Sequence, residues 1–313
     1  MITSLDAATN SFLNHLSRIQ DNISRTSAQI SSGYRIQQPS DSPDQISTLL
    51  DLQANLSHNQ GVTTTLARVQ AEVQSADSGV STALQLLDQA RSLGAQGGTA
   101  TTTAANRTDL SQRVQALQEQ LVAISNTEVG GRYIYSGDQD GSAPYAVNLN
   151  QLPTVPQNGV DRLLTAPVTA TRRIELSNHI TAAVDQTGQD LFDHRKPDDS
   201  LAPDNVFAAL NSLRVALASN VTADITAAQT AIETTTAYLN SKQGFYGAAE
   251  NRISGAITDL NMQNTTLQQQ ISAIRDTDVV QAALQLTSAS TQQQAALAAQ
   301  AKIPRTTLFD YFG

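Results

Sequence analysis

FLNHLSRIQDNISRTSAQISSGYRIQQPSDSP, residues 12–43, is the stretch on which the fold turns. Phe12, Leu16, Ile19, Ile23 and Ile30 are spaced by four, three, four and seven, the a/d stripe of a coiled-coil seam. A helix with so narrow an apolar stripe needs a partner. The run stops at Ser31-Ser32-Gly33, where Gly33 can take a left-handed C-terminal cap. Pro39 and Pro43 then bracket a segment that cannot be regular helix, so a defined bend is expected there.

Beyond the bend the same rhythm returns. Val62, Leu66, Val69, Val73, Ala76, Val80, Ala83 and Leu87 predict a long helix that Gly94, Gly97 and Gly98 break. Leu110, Val114, Leu117, Leu121 and Ile124 predict its antiparallel partner, ending at Gly130-Gly131. From Arg132 the period changes to two. Tyr133, Ile134 and Tyr135 lead into Asp140-Gly141, a hairpin-turn dipeptide, and Pro144, Pro153, Pro156 and Pro167 punctuate short apolar pieces up to about Pro203. Helical spacing resumes at Val206, Leu210, Leu213 and Leu217, pauses near Asn220, and restarts through Ile225, Ala228, Ile232 and Leu239. The last stripe runs through Ile253, Ile257, Leu260, Leu267, Ile271 and Ile274 before an Ala- and Gln-rich stretch. Each end holds only about three to four heptads, marginal for a lone helix, so the two ends are expected to pair with each other.

Composition narrows the function. With 19 Lys and Arg against 28 Asp and Glu, the net charge of -9 disfavours a broad phosphate-binding surface, and nucleic acid is not an expected partner. No apolar run nears the roughly 18 residues a membrane-spanning helix requires, so a membrane is not expected either. Residues 1–10 have neither a basic nor an apolar region of a secretory signal, which makes another export route the expectation. The absence of cysteine removes disulfides, thiolate metal sites and Cys nucleophiles.

Catalytic constellations are missing too. His15, His58, His179 and His194 lie far apart, with no i, i+4 pair of a helical zinc site. Asp193, His194, Asp198 and Asp199 are the densest group of candidate ligands, but Lys196 and Pro197 interrupt them and no Gly-centred calcium loop is present. Gly97-Gly98 and Gly130-Gly131 lack the phosphate-cradling pattern, and no Gly-x-Ser-x-Gly elbow occurs. Neither a cofactor, nor a metal, nor a catalytic residue is expected. Two readings of the terminal stripes then remain: they close an intramolecular bundle, or they join neighbouring subunits.

Ser31-Ser32-Gly33-Tyr34-Arg35-Ile36, followed by Pro39-Ser40-Asp41-Ser42-Pro43, resembles the N-terminal region of the bacterial flagellin and hook-associated protein superfamily, with Ser42 in place of the second residue of the usual Asp-Asp. Gly131-Arg132-Tyr133-Ile134-Tyr135-Ser136-Gly137 resembles the hairpin of its hook-filament junction members. Leu308-Phe309-Asp310-Tyr311-Phe312-Gly313 is similar to their Leu-Phe-Asp-Tyr-Leu ending. Gly247-Ala248-Ala249-Glu250-Asn251-Arg252-Ile253 and Ile274-Arg275-Asp276-Thr277-Asp278 also resemble family segments, while residues 148–202 fall outside the likeness.

The expected fold is mainly α: an elongated helical rod and a terminal coiled coil formed by both chain ends, with a small β-rich middle domain. The boundaries read as 1–43 for the N-terminal coiled-coil segment and bend, 44–130 for rod helices, and 131–203 for the β-rich outer domain. Further rod helices occupy 204–252, and 253–313 form the C-terminal coiled-coil segment and tail, pairing with 1–43. The assembly interface is expected at Phe12, Leu16, Ile19, Ile23, Ile30, Ile257, Leu260, Leu267, Ile271 and Ile274. The bend is expected at Gly33, Arg35, Pro39, Asp41 and Pro43, with an Arg35–Asp41 ion pair, and an apolar tail at Leu308, Phe309, Tyr311 and Phe312. The resemblance implies a non-enzymatic axial protein of the extracellular flagellum, exported by the flagellar type III apparatus with an export chaperone. It implies a ring of the chain's own copies between the first hook-filament junction protein and flagellin. The alternatives are flagellin itself, the filament subunit, and more remotely a non-flagellar helical enzyme.

Overall fold

Six helices longer than ten residues carry most of what the computed structural model describes, namely residues 7–151, 157–165, 168–177 and 180–301. These are α1 (Ala7–Ser32), α2 (Pro43–Gly98), α3 (Ala104–Ser125), α5 (Val206–Ser219), α6 (Thr222–Arg275) and α7 (Val279–Ala301). Between α3 and α5 lie β1 (Glu128–Val129), β2 (Arg132–Tyr133), β3 (Tyr145–Val147), β4 (Val160–Arg162), β5 (Arg173–Glu175), β6 (Thr181–Ala183) and the one-turn α4 (Gly188–Leu191). The strands pair as three separate antiparallel ribbons, β1–β2, β3–β4 and β5–β6. The protein is mainly α with a small β-rich middle. It divides into two compact units, one of Met1–His58 with Met262–Gly313, the other of Asn59–Asn261.

The second unit owes its core to the stripe on α2. Leu66, Val69, Val73, Ala76, Val80, Ala83, Leu87 and Ala90 alternate three- and four-residue steps, and all are buried. The same cluster takes in Val114 and Leu121 of α3, Leu210 and Leu217 of α5, and Ile225, Ile232 and Leu239 of α6. At about 1.5–3 kcal/mol per fully buried aliphatic side chain, this cluster is the main stabilising term of the unit. Tyr135 links the β-rich segment to it. Its buried hydroxyl donates to the Ala76 carbonyl at 2.8 Å, and its ring meets the Phe192 ring edge-on at 5.2 Å. That approach needs Gly79, because a Cβ there would lie 2.3 Å from Tyr135 Oη.

Three expectations are corrected in this unit. Helix α2 does not break at Gly94 but continues through Gly97 to Gly98. These glycines serve packing: a Cβ on Gly97 would fall 2.2 Å from Leu217 Cδ2 of α5, and one on Gly94 would press on Leu213 and Gln229. Gly130-Gly131, read as a helix end, is the turn of the β1–β2 hairpin, so a boundary at 130/131 cuts that hairpin. Both residues have positive φ, +60° and +80°, as a two-residue primed turn demands. Asp140 instead accepts a hydrogen bond from Arg132 Nε at 2.6 Å. Finally, the boundary at 252/253 falls inside the unbroken α6. Ile253 and Leu260 are buried in the core of the second unit, with Ile257 packed against it.

Candidate assembly interface

In the first unit α1 packs along α7. The backbone around Gly33 runs antiparallel to that around Asp276, so the end of α1 meets the start of α7 and the two helices are antiparallel. Along α1 a regular stripe is drawn from solvent, Phe12, Leu16, Ile19, Ile23, Thr26 and Ile30, stepping by four, three, four, three and four. Thr26, which the apolar spacing skipped, fills the missing heptad position and is buried. On α7 the corresponding residues are Ala282, Leu286, Ala289, Gln293, Ala296 and Gln300, with the same steps. A stripe of mostly large apolar side chains on one helix thus lies along one that is small or amide at every position but Leu286, with the heptad steps of a coiled-coil seam on both.

The partner stripe of α1 is therefore the Ala- and Gln-rich stretch, not Ile257 and Leu260, which the second unit has already buried. Leu267 is half-buried near the end of α6. Ile271 forms a small core with Ile36 and Leu49, against which Ile274, Ile46, Leu52 and Leu56 pack. Alanine at a seam position contributes little apolar area, which hid this stripe from a reading weighted toward Ile and Leu.

Two helices cannot cover each other on all sides. Leu13 of α1 and Val279, Val280, Leu284 and Leu297 of α7 remain exposed, Val280 by 71% and Leu284 by 67%. Helix α7 contains no charged residue at all. A helix surface with neither charge nor apolar cover is the pattern of an interaction face.

The bend is built from the backbone outward. Gly33 adopts φ +74°, its N–H bonding Gln29 O at 2.9 Å to close α1 with the expected left-handed cap. The N–H groups of Arg35 and Ile36 then donate to Arg275 O, at 2.6 and 3.2 Å, and Thr277 N–H returns to Gly33 O at 2.9 Å. The Arg275 guanidinium sits 4.0 Å from the Tyr34 ring centre, a cation–π contact worth about 0.5–1 kcal/mol when exposed. Pro39 starts a 3-10 turn ending at Asp41, and Pro43 is the first residue of α2, where its missing N–H costs nothing.

The expected Arg35–Asp41 ion pair is replaced by two separate locks. Arg35 Nη2 donates to Ile274 O at 2.6 Å and to Gln45 Oε1 at 2.8 Å, fastening the bend to the end of α6. Asp41 Oδ2 accepts from the amides of Gln37 and Gln38, both at 2.9 Å. Those two amide bonds hold the Asp41 carboxyl below its ordinary value. Asp278 caps α7, its Oδ1 accepting from Val280 N and Gln281 N at 2.9 and 3.1 Å.

The remaining sequence candidates find structural roles. Asp193 is fully buried, with Oδ1 accepting from Asn158 and Asn205 and Oδ2 from Arg195 Nε at 2.9 Å, so its oxygens are occupied by protein donors. Asp199 meets Arg162 at 2.5 Å, Asp198 accepts from Ser200, and His194 Nδ1 lies 2.7 Å from Asp204 Oδ1. No group of three or more His, Asp or Glu among the described residues is placed to hold a metal ion, and no helix among them is long and apolar enough to cross a membrane. His179 and the tail residues Leu308, Phe309, Tyr311 and Phe312 lie outside the described residues.

Residues 4–140 match the bacterial flagellin N-terminal helical region, and residues 225–312 match the bacterial flagellin C-terminal helical region. The chain is 26% identical over 200 residues to flagellar hook-associated protein 3 of Escherichia coli strain K12, covering 62% of this chain and 59% of that protein. It thus spans somewhat under two thirds of that curated relative. Among solved structures, a protein of the flagellar hook-associated class from Vibrio parahaemolyticus superposes with a TM-score of 0.63 at 15% identity, over 75% of this chain and 100% of the other. Flagellar hook-associated protein 3 of Legionella pneumophila gives 0.56 at 15% identity, over 72% and 99%. FlgL of Bacillus cereus gives 0.54 at 16%, also over 72% and 99%. At such identities the superpositions speak for the fold, while the two matched regions bracket the chain at both ends. This chain belongs to the bacterial flagellin superfamily.

Proposed function

We propose that the protein is a structural axial component of the flagellum that acts as an adaptor where hook meets filament, assembling through its paired end helices and making or breaking no covalent bond. The observation that carries this reading is the uncharged α7, laid against α1 and still exposing Val280 and Leu284. Such a face is costly to leave in water and is satisfied when a further copy covers it. The partners in this reading are copies of the chain in a ring, the first hook-filament junction protein beneath and flagellin above. Export is through the flagellar type III route, with a chaperone shielding the apolar tail at Leu308, Phe309, Tyr311 and Phe312 beforehand. Likeness to E. coli hook-associated protein 3 supports the location.

The matched flagellin regions also support a second reading, that the chain is a filament subunit. Immunogold electron microscopy on intact cells and on sheared flagella, with flagellin labelled separately, decides between them. Gold confined to the hook-filament boundary is the expected result. Gold along the whole filament makes the chain a flagellin, and gold absent from flagella removes both readings.

A further inference from the structure

Helices α6 and α7 are separated by Asp276, Thr277 and Asp278, yet no helix breaker stands there. From Ala256 to Ala301 the sequence has neither a glycine nor a proline. The bend between α1 and α2 is different, since Gly33, Pro39 and Pro43 write it into the chain. A helix running on from α6 would pair Thr277 N–H with Ala273 O, Asp278 N–H with Ile274 O and Val279 N–H with Arg275 O. Residues of the N-terminal bend hold one group of each pair instead. Gly33 O accepts from Thr277 N–H at 2.9 Å, Arg35 Nη2 donates to Ile274 O at 2.6 Å, and the amides of Arg35 and Ile36 donate to Arg275 O at 2.6 and 3.2 Å. Ile36 is buried in one small core with Leu49 and Ile271, which anchors those amides. The next two amides, of Val280 and Gln281, turn to Asp278 Oδ1. Three successive helical bonds are thus exchanged for bonds to residues 33–36.

When residues 33–36 leave, the freed groups find their nearest partners along the helix itself. Nucleation, the costly step, is already met by the 54 residues of α6 on one side and the 23 of α7 on the other, so only propagation through the gap remains. We propose that residues 276–278 are a two-state joint, non-helical while residues 33–36 are docked on it and helical when they are not, so that α6 and α7 then form one continuous helix. The device couples the two chain ends. Docking of the N-terminal bend decides whether α7 starts afresh or continues α6, and by reciprocity a helical joint releases the bend. The coupling belongs to the fold and holds for an adaptor and for a filament subunit alike.

The test is backbone NMR on the full chain, reading Cα chemical shifts at residues 276–278 and amide exchange at residues 35 and 36. Arg35→Ala with Ile36→Asp undocks the bend without touching the joint, as fast exchange at residues 35 and 36 will report. The expected result is helical shifts at residues 276–278, like those of Ser272 and Ala273 in α6. Shifts that stay as in the unmodified chain, or that fall to random-coil values, overturn the proposal. The reverse experiment, Thr277→Ala with Asp278→Ala, raises helix propensity at the joint and removes the Asp278 cap. It should give helical shifts there together with about tenfold faster exchange at Arg35 and Ile36. Non-helical shifts, or helical shifts with unchanged exchange at the bend, overturn the coupling, and this second variant decides the matter should the first not fold.

Discussion

Gly33 shows how much of a bend can rest on one residue. At φ +74° with open space where a Cβ would point, its requirement is one of backbone conformation alone. Gly33→Ala is expected to cost about 1 kcal/mol in denaturant unfolding of the first unit, the price of a left-handed side chain. Asp41 holds its bend differently, through the Gln37 and Gln38 amides. Because its folded-state pKa is lowered, that contribution is present above the ordinary value of 3.8 and is lost as pH falls through the folded-state pKa. Amide exchange at Gln37 and Gln38 should therefore accelerate in acid relative to their neighbours in α1. Asp185 has the opposite sign: its pKa is raised, so its ionisation penalises the fold above that value and the penalty disappears as pH falls. Asp185→Asn is expected to raise the melting temperature at pH 7, by a margin that shrinks toward pH 4.

Elements are closed by such residues. The C-terminal carbonyls of α2 are gathered by Arg107, a buried cation on α3 that donates to Gly97 O at 2.7 Å, Thr99 O at 3.2 Å and Asn220 Oδ1 at 2.6 Å. Carbonyls at a helix end carry partial negative charge, which explains how a guanidinium can sit there with donors satisfied by neutral acceptors. Arg107→Leu is expected to cost about 3 kcal/mol by chemical denaturation, since it orphans the α2 end and the Asn220 cap together. Along the seam, Ile19→Ala with Ile23→Ala should remove about 2–3 kcal/mol from the α1–α7 pairing, read as lost ellipticity below the main transition, and abolish attached filaments. Normally attached filaments in that double variant would falsify the seam as an assembly element.

The long helices of the second unit were legible because their stripes are built from Leu, Ile and Val, whose spacing survives any reading of hydropathy. The left-handed Gly33 and the pause at Asn220, with φ +58°, were legible for a different reason: each is punctuation that few residue types can supply. The α7 stripe was not, since alanine and glutamine occur on seam and surface alike. Nor could spacing tell that Leu260 belongs with Leu66 rather than with Phe12, because periodicity names the buried face of a helix and not its neighbour. The bend's second lock was missed because Arg35 bonds a main-chain oxygen, which leaves no trace in side-chain pattern.

On the scale of the whole molecule, the two units rest on very different cores. Asn59–Asn261 encloses one cluster drawn from α2, α3, the β-rich segment, α5 and α6, while the other unit buries Ile36, Leu49 and Ile271 at its centre. Limited proteolysis should therefore remove the chain ends first and leave a resistant fragment near residues 59–261, and heating should give a low-temperature transition absent from that fragment. A single cooperative transition with uniform cleavage would contradict this division.

The charge-free surface of α7 also sets how the proposed joint responds to its surroundings. Ionic strength has no charges there to screen, so sodium chloride leaves contact along this face untouched, whereas an excluded salt such as sulfate tightens it. Cooling acts the other way, because apolar association fades toward low temperature. A coupling made from this helix holds equally in fresh and salt water and is weakest in the cold.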